Sequence, residues 1–461
     1  MVKNEVPSIR ERLQFFFKTV DLPFGLLFVF VLLNFLDVRP GLTNENSRLA
    51  LLRAMRVDHS FQIDKYKGWS GDWSLAPNRH YYSNKAPGPA LLAFPLFLPL
   101  DALDVKLNTG NPGALPSPVS KALLCLFTQI LPFGFLALLA LRWMKGQGVS
   151  EEARLYTAVA LLFGNTVSLL MNVFFGHAVA ACLFLASILA LVHRRYFLLG
   201  LFFGLSLLSD YSSFFAIPAL LLGFYFQRVD RKAIARLALG GLLPLCLWCW
   251  YHYSAFGGIF RLPLAYINPL YNDNKSGAAW GIFGLPDAII VLRLLFGPER
   301  GLLFTQAWVF FSLVGIFFLP KGSVGKKIGS IALVTLLGLL WMNSSFNGWH
   351  GGWCAGPRYL SIAFPLLAIL AGFVFDRANA FFRSIANVAL GVAIFLRALV
   401  FSFGAIESMP NIWLHYFHYL CEANLQDSFR ILAFLVLLAM AIRRKKVDTT
   451  ATGKVDLSIL P

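Results

Sequence analysis

The feature that most constrains this chain is the recurrence of apolar runs long enough to leave water. They lie near 22–37, 121–141, 155–172, 177–193, 196–210, 213–227, 235–252, 302–320, 328–342, 359–375, 385–402 and 429–442. A bilayer's hydrocarbon core takes about 20 helical residues, and lipid offers the backbone no hydrogen-bond partner. Of the 461 residues 57% are hydrophobic and only 14% charged, against about 25% charged in soluble domains. The expected fold class is an all-α polytopic membrane protein of about twelve transmembrane helices. Residues 1–442 form one domain, and 443–461 form a basic cytoplasmic tail.

Position 86–104 is as apolar as any span but carries Pro87, Pro89, Pro95 and Pro99. Prolines remove helix hydrogen bonds that lipid cannot replace. Short cytoplasmic loops are rich in Lys and Arg, and that rule decides the parity. With 86–104 left out, the clusters Arg142/Lys145/Arg154, Arg194/Arg195, Arg228/Arg231/Lys232/Arg236, Lys321/Lys326/Lys327, Arg377/Arg383 and Arg443–Lys446 all join the basic N-terminus in the cytoplasm. With it included, all but the N-terminus fall outside. The run therefore reads as bent helix at the outer interface, within one long outer loop of about 38–120. In that loop "SRLALLRAMRVDHSF" at 47–61 has helical spacing and reads as a surface-lying amphipathic helix.

The formal net charge is +17, from 40 Lys and Arg against 23 Asp and Glu. No basic stripe sits on a polar domain, so the charge reads as loops facing anionic lipid, and nucleic acid is not an expected partner. The six cysteines suggest no disulfide framework: Cys125, Cys182, Cys246 and Cys249 lie in apolar runs, where packing explains them. Arg397, inside an apolar run near its outer end, reads as a snorkelling side chain.

The remaining polar residues gather at one face. The long loop carries Glu45, Asp58, His59, Asp64, Asp72, His80, Tyr82 and Lys85; His177 opens a span, and Asp210 and Tyr211 close one. A further outer loop, "NSSFNGWHGGWCAGPRYL", brings Trp353, Arg358 and Tyr359. Each has a plain reading as a helix cap, interfacial aromatic or snorkelling cation. Together they outline a site: glycines let backbone approach a ligand, Lys and Arg suit a lipid phosphate, and a nearby carboxylate suits proton removal from a hydroxyl.

The blocks "TNENSRLALLRAM" at 43–55 and "YYSNKAPGPALLAFP" at 81–95 resemble the acidic and Lys-Pro-Pro-like motifs of the GT-C membrane glycosyltransferases, especially the protein mannosyltransferase and aminoarabinose transferase branch. "FFGHAVAA", "LSDYSSF", "LLFGPERGLLF" and "WHGGWCAGPRYLSIAFP" resemble further blocks of bacterial members. Where family members often place Asp then Glu, this chain has Asn44 and Glu45, and it carries no soluble C-terminal domain.

The resemblance implies an inverting transfer of a sugar from a polyprenyl-phosphate donor to a lipid, glycan or protein acceptor, at the non-cytoplasmic face of a cell membrane with both termini inside. Glu45 would be the catalytic base on the acceptor hydroxyl, with Asp72, Asp58 and Asp64 of the same loop as its rivals. Lys85 and Arg358 would hold the departing phosphate. Tyr82, His177, Asp210, Tyr211, Trp353 and Tyr359 would contact substrate. No cofactor is assigned; the acids and histidines leave room for a divalent cation, although no spacing is specific to one. The alternative class is a transporter or lipid-carrier flippase, which would place ionisable groups near mid-bilayer on broken helices.

Overall fold

The computed structural model describes residues 24–37, 41–107, 114–271, 283–352, 354–404 and 410–442. In chain order the principal helices are α1 (Phe24–Leu36), α2 (Thr43–Arg53), α3 (Gly88–Leu107), α4 (Pro118–Gly146), α5 (Glu151–Leu162), α6 (Gly176–Val192), α7 (Tyr196–Ser209) and α8 (Tyr211–Gln227). They continue as α9 (Arg231–Phe256), α10 (Ala288–Phe296), α11 (Trp308–Phe318), α12 (Val324–Ser344), α13 (Arg358–Arg377), α14 (Ala380–Phe403), α15 (Ile412–Cys421) and α16 (Leu425–Ile442).

Local chemistry sets many of these starts. The side chains of Ser117, Ser150, Asp230, Ser323 and Asn379 each accept a first-turn backbone N–H, opening α4, α5, α9, α12 and α14. Each such cap is worth about 1 kcal/mol. Helix occupies every expected run, but 155–172 is interrupted: α5 ends at Leu162, and the Asn165 side chain caps a new short helix, Thr166–Leu169.

Among the described residues, five helices are long and apolar enough to cross a bilayer: α4, α9, α12, α13 and α14. Length limits the others. The 14 residues of α7 rise only about 21 Å, short of the ~30 Å hydrocarbon core. Among the described residues, length and composition thus support five of the twelve expected crossings.

Helix α13 forms the centre, buried from Phe364 to Phe375, and packs on α5, α11 and α12. The tightest pair is α7 with α9. A Cβ on Gly200 would fall 2.0 Å from the Leu237 carbonyl oxygen, and one on Gly240 would fall 1.9 Å from that of Phe197. These two helices meet backbone to backbone.

The expected outer loop holds α2, a short helix Asp64–Trp69, an antiparallel hairpin of β1 (Trp73–Leu75) and β2 (Tyr81–Ser83), and α3. The hairpin is pinned to the chain before α10: Asn268 donates its backbone N–H to Trp73 O (3.0 Å), and Ser74 Oγ donates to Pro263 O (2.7 Å). Helix α3 runs through Pro95 and Pro99, burying Ala90, Ala93 and Phe97 and exposing Leu92, Leu98 and Leu103.

Two expectations are corrected here. Helix α2 does not lie on a surface: Asn44 to Arg53 are all buried. Its polar residues face partners within the protein, as when Arg53 Nη1 pairs with Asp101 at 2.7 Å. Nor does Arg397 snorkel. It is 2% exposed, and its Nη2 donates to Asn34 Oδ1 at 2.7 Å beside Asp37.

Candidate functional site

A cavity of about 1210 Å³ opens between α7, α8 and α9. It has two unlike ends. Along the helices the walls are apolar, with Phe203, Leu207, Phe214, Leu221, Leu242 and Leu245 among them. At the other end, where α7 meets the first loop, it is lined by Asn44, Arg48, Asn84, Lys85, His177, Asp210 and Tyr211.

The polar end is assembled by close packing at the end of α7. A Cβ on Gly176 would fall 2.3 Å from Ser209 O and 2.8 Å from Arg48 Nη2; one on Gly88 would fall 2.6 Å from the backbone of Leu208 and Ser209. Only glycine allows both approaches. They bring His177 and the segment bearing Lys85 against the residue that follows, Asp210.

Helical periodicity sorts the residues of α2. Asn44 and Arg48 are four apart and share the face toward the cavity. Arg48 Nη1 donates to Asn44 O at 3.1 Å and to its side-chain oxygen, while the buried Nε has no partner among the described residues. Burial lowers this guanidinium to about 10, against the opposing pull of Asp210 and Asp72. Glu45, about 100° further round the helix, faces the interior. It is fully buried, takes Lys121 Nζ on Oε2 at 3.1 Å and the Phe174 N–H on Oε1 at 2.8 Å, and does not line the cavity. Burial raises its carboxyl despite Lys121.

The hairpin register positions the next pair. With Trp73 opposite Ser83, Asp72 falls beside Asn84. Asn84 Nδ2 donates to Asp72 Oδ1 at 3.3 Å, and Lys85 Nζ lies 3.0 Å from the same oxygen. Burial pushes the Asp72 carboxyl up, but Lys85, Asn84 and Arg358 together hold it below the usual range. Burial lowers the Lys85 ammonium, partly offset by Asp72. Ser47 Oγ, hydrogen-bonded to Ser83 Oγ at 2.7 Å and to Asp72 O, clips the hairpin to α2.

His177 Nδ1 is hydrogen-bonded to Asp210 Oδ2, and Asp210 Oδ1 accepts the Ser212 N–H at 3.0 Å. Tyr359 stands edge-on to the imidazole at 5.2 Å. The Tyr211 hydroxyl bonds His252 Nε2 at 3.0 Å, whose Nδ1 meets Trp248 O at 2.9 Å. The Arg358 guanidinium stacks over Phe175 (5.4 Å) and Tyr359 (5.3 Å), with a buried Nε that has no partner among the described residues. Arg48, Lys85 and Arg358 thus face Asp72 and Asp210, leaving the cluster net positive.

Of the residues expected from sequence, Lys85, His177, Asp210, Tyr211 and Tyr359 line this cavity. Arg358 sits behind Tyr359, and Asp72 behind Lys85. Tyr82 is buried against Phe256 at 5.4 Å, its hydroxyl accepting from Asn78 Nδ2 at 2.9 Å. Trp353 lies outside the described residues. Arg48 was missed, although its signal was present: it is one helical turn beyond Asn44, the position where the resembled family often carries its acid. Among the described residues no three His, Cys, Asp or Glu side chains group to hold a metal.

No protein-family model matches the sequence, and no curated protein matches it. Solved structures do match the fold. ArnT from Cupriavidus metallidurans bound to undecaprenyl phosphate aligns over 90% of this chain and 75% of its own, at 13% identity and TM-score 0.51. Its apo form aligns over 90% and 74%, at 17% identity and TM-score 0.50. The archaeal oligosaccharyltransferase AglB from Archaeoglobus fulgidus, in complex with an inhibitory peptide and a dolichol-phosphate, aligns over 90% and 59%, at 12% identity and TM-score 0.49. The chain therefore shares the fold of ArnT.

Proposed function

We propose that this chain is a membrane glycosyltransferase that moves a sugar from a polyprenyl-phosphate donor to a lipid, glycan or protein acceptor. The observation that carries this is the two-ended cavity: cations at the end, and an apolar trough leading away from them. Phe214, Leu221, Leu242 and Leu245 on its walls are half or more exposed. Apolar surface of this kind beside an anion site calls for an amphipathic ligand. An isoprenoid tail suits the trough, and its phosphate suits Arg48 and Lys85, with Arg358 adding positive charge from behind Tyr359. A chain of the same fold, ArnT, has been crystallised with undecaprenyl phosphate.

In this reading the transfer inverts the anomeric carbon, the site opens to the non-cytoplasmic face, and both termini are cytoplasmic. The three cations neutralise the phosphate as it departs, an electrostatic effect that is often the largest contribution to catalysis. Glu45 holds α2 in place through Lys121, and Asp72 holds Lys85.

The test uses purified protein in nanodiscs. Undecaprenyl phosphate should bind, and a panel of synthetic undecaprenyl-phosphate sugars incubated with cell-envelope acceptors should give transfer with one member. Binding that is absent, or unaltered when Arg48 and Lys85 are both replaced by Ala, would sink the reading.

A further inference from the structure

Resting on the glycosyl-transfer reading, we propose that His177, oriented by Asp210, is the general base that takes the proton of the attacking acceptor hydroxyl. An ionised carboxylate only accepts hydrogen bonds, so Asp210 Oδ2 fixes the imidazole hydrogen on Nδ1. The lone pair then resides on Nε2, the arrangement of a base held by a third group. Asp210 is itself held, its other oxygen receiving the Ser212 N–H. His177 lines the cavity, and no described residue hydrogen-bonds its Nε2.

The other acids are engaged. Both Glu45 oxygens are occupied, by Lys121 and by the Phe174 N–H. Asp72 Oδ1 carries Lys85 and Asn84. Glu45 does not line the cavity, and Lys85 helps hold the Asp72 carboxyl below its usual range, which makes it a poor proton acceptor; an imidazole works near neutral pH. The charged and titratable groups facing the ring are Asp210, Arg48, Arg358 and Tyr359. The base and the phosphate cations therefore bound the same small volume.

The step balances as follows. The acceptor oxygen bonds the anomeric carbon while the bond from that carbon to the phosphate oxygen breaks, its electron pair staying on the phosphate. The hydroxyl proton moves to Nε2. The resulting imidazolium faces Asp210 and the departing phosphate, and later releases its proton to water.

Two experiments test this. The first needs no donor. Diethyl pyrocarbonate is applied to wild-type protein in nanodiscs, with carbethoxylated peptides located by mass spectrometry. His177 should be modified, and undecaprenyl phosphate should protect it; an unmodified His177 in protein whose exposed His80 reacts would overturn the proposal. The second compares His177→Gln with wild type on the active panel member. Turnover should fall roughly 100- to 10,000-fold and the acidic limb of the pH–rate profile should vanish, with undecaprenyl phosphate affinity kept. Asp210→Asn should shift that limb. A His177→Gln protein with a third or more of normal turnover, or with its loss confined to KM, would overturn the base role alone. Failure of wild-type protein to bind undecaprenyl phosphate would instead overturn the parent reading, and this one with it.

Discussion

Lys85 Nζ lies 3.0 Å from Asp72 Oδ1 across the open end of a two-stranded hairpin, so the cation is held in place before any ligand arrives. Preorganisation of this kind lowers the cost of binding. Charged hydrogen bonds contribute about 1.5–3 kcal/mol, so Lys85→Ala should weaken undecaprenyl phosphate binding at least about ten-fold. Arg48→Ala should do the same. Because both act on one phosphate, the double variant should depart from additivity. Titration of the four proteins in nanodiscs checks this.

Alkaline pH should weaken the same binding. Arg48 titrates at about 10, and burial lowers Lys85 from its ordinary value. A bound phosphate favours the charged forms and raises both. Binding must then take up protons as the free cations begin to titrate, and affinity should fall as pH rises toward 10. Calorimetry in two buffers of different ionisation enthalpy, across pH 7 to about 10.5, would register the uptake; a flat affinity would contradict it.

Glu45 should matter to folding more than to chemistry. Glu45 and Lys121 are 0% and 5% exposed. Breaking a buried pair by removing one partner costs about 3–5 kcal/mol, whereas replacing both is far milder. Glu45→Ala should therefore unfold much more readily than wild type in thermal scans, and Glu45→Ala/Lys121→Met should recover part of the loss. A Glu45→Ala protein with wild-type stability and no turnover would restore the acid to a catalytic part.

Gly88 and Gly176 should resist the smallest substitution. A methyl at either meets backbone at 2.6 or 2.3 Å, and overpacking of this kind costs about 1–3 kcal/mol. Gly176→Ala should also push His177 and Arg48 away from α7, lowering turnover and phosphate affinity together. Gly146, whose Cβ would meet nothing within 4 Å, is the control: Gly146→Ala should leave both unchanged.

The sidedness expected from the loop charges can be read chemically. Cysteines placed at the exposed positions Asn78 and Gln147, in a background lacking the native six, should react oppositely with a membrane-impermeant maleimide in intact cells. Asn78→Cys should be labelled and Gln147→Cys protected.

The helices were legible because apolar runs and cap residues act locally. What lay hidden was the direction of polar side chains. In α2, Asn44, Arg48 and Arg53 carry the same pattern whether that face meets headgroups or a protein interior; only the fold supplies Asp101 to Arg53. Arg397 shows the same limit, since Asn34 stands 363 positions away in the chain. Lys85, His177 and Asp210 could be nominated as isolated polar residues at one face. The engagement of Glu45 by Lys121 could not, because it depends on rotation of α2 about its own axis by one residue.

The apolar trough along α7, α8 and α9 also decides how substrate is counted. A ligand held by its tail among Phe203, Leu207 and Leu242 arrives by lateral diffusion within the leaflet, not from solution. Its effective abundance is a mole fraction among lipids. Diluting the enzyme and bilayer together in buffer should leave the rate per enzyme unchanged, whereas adding inert phospholipid at fixed volume should slow it. Every phospholipid in the leaflet also carries a phosphate on apolar chains and is therefore a standing competitor for the site. Selectivity must then come from what the polar end adds beyond charge, the side chains of Asn44, Asn84, His177 and Asp210 that a sugar on the phosphate would meet.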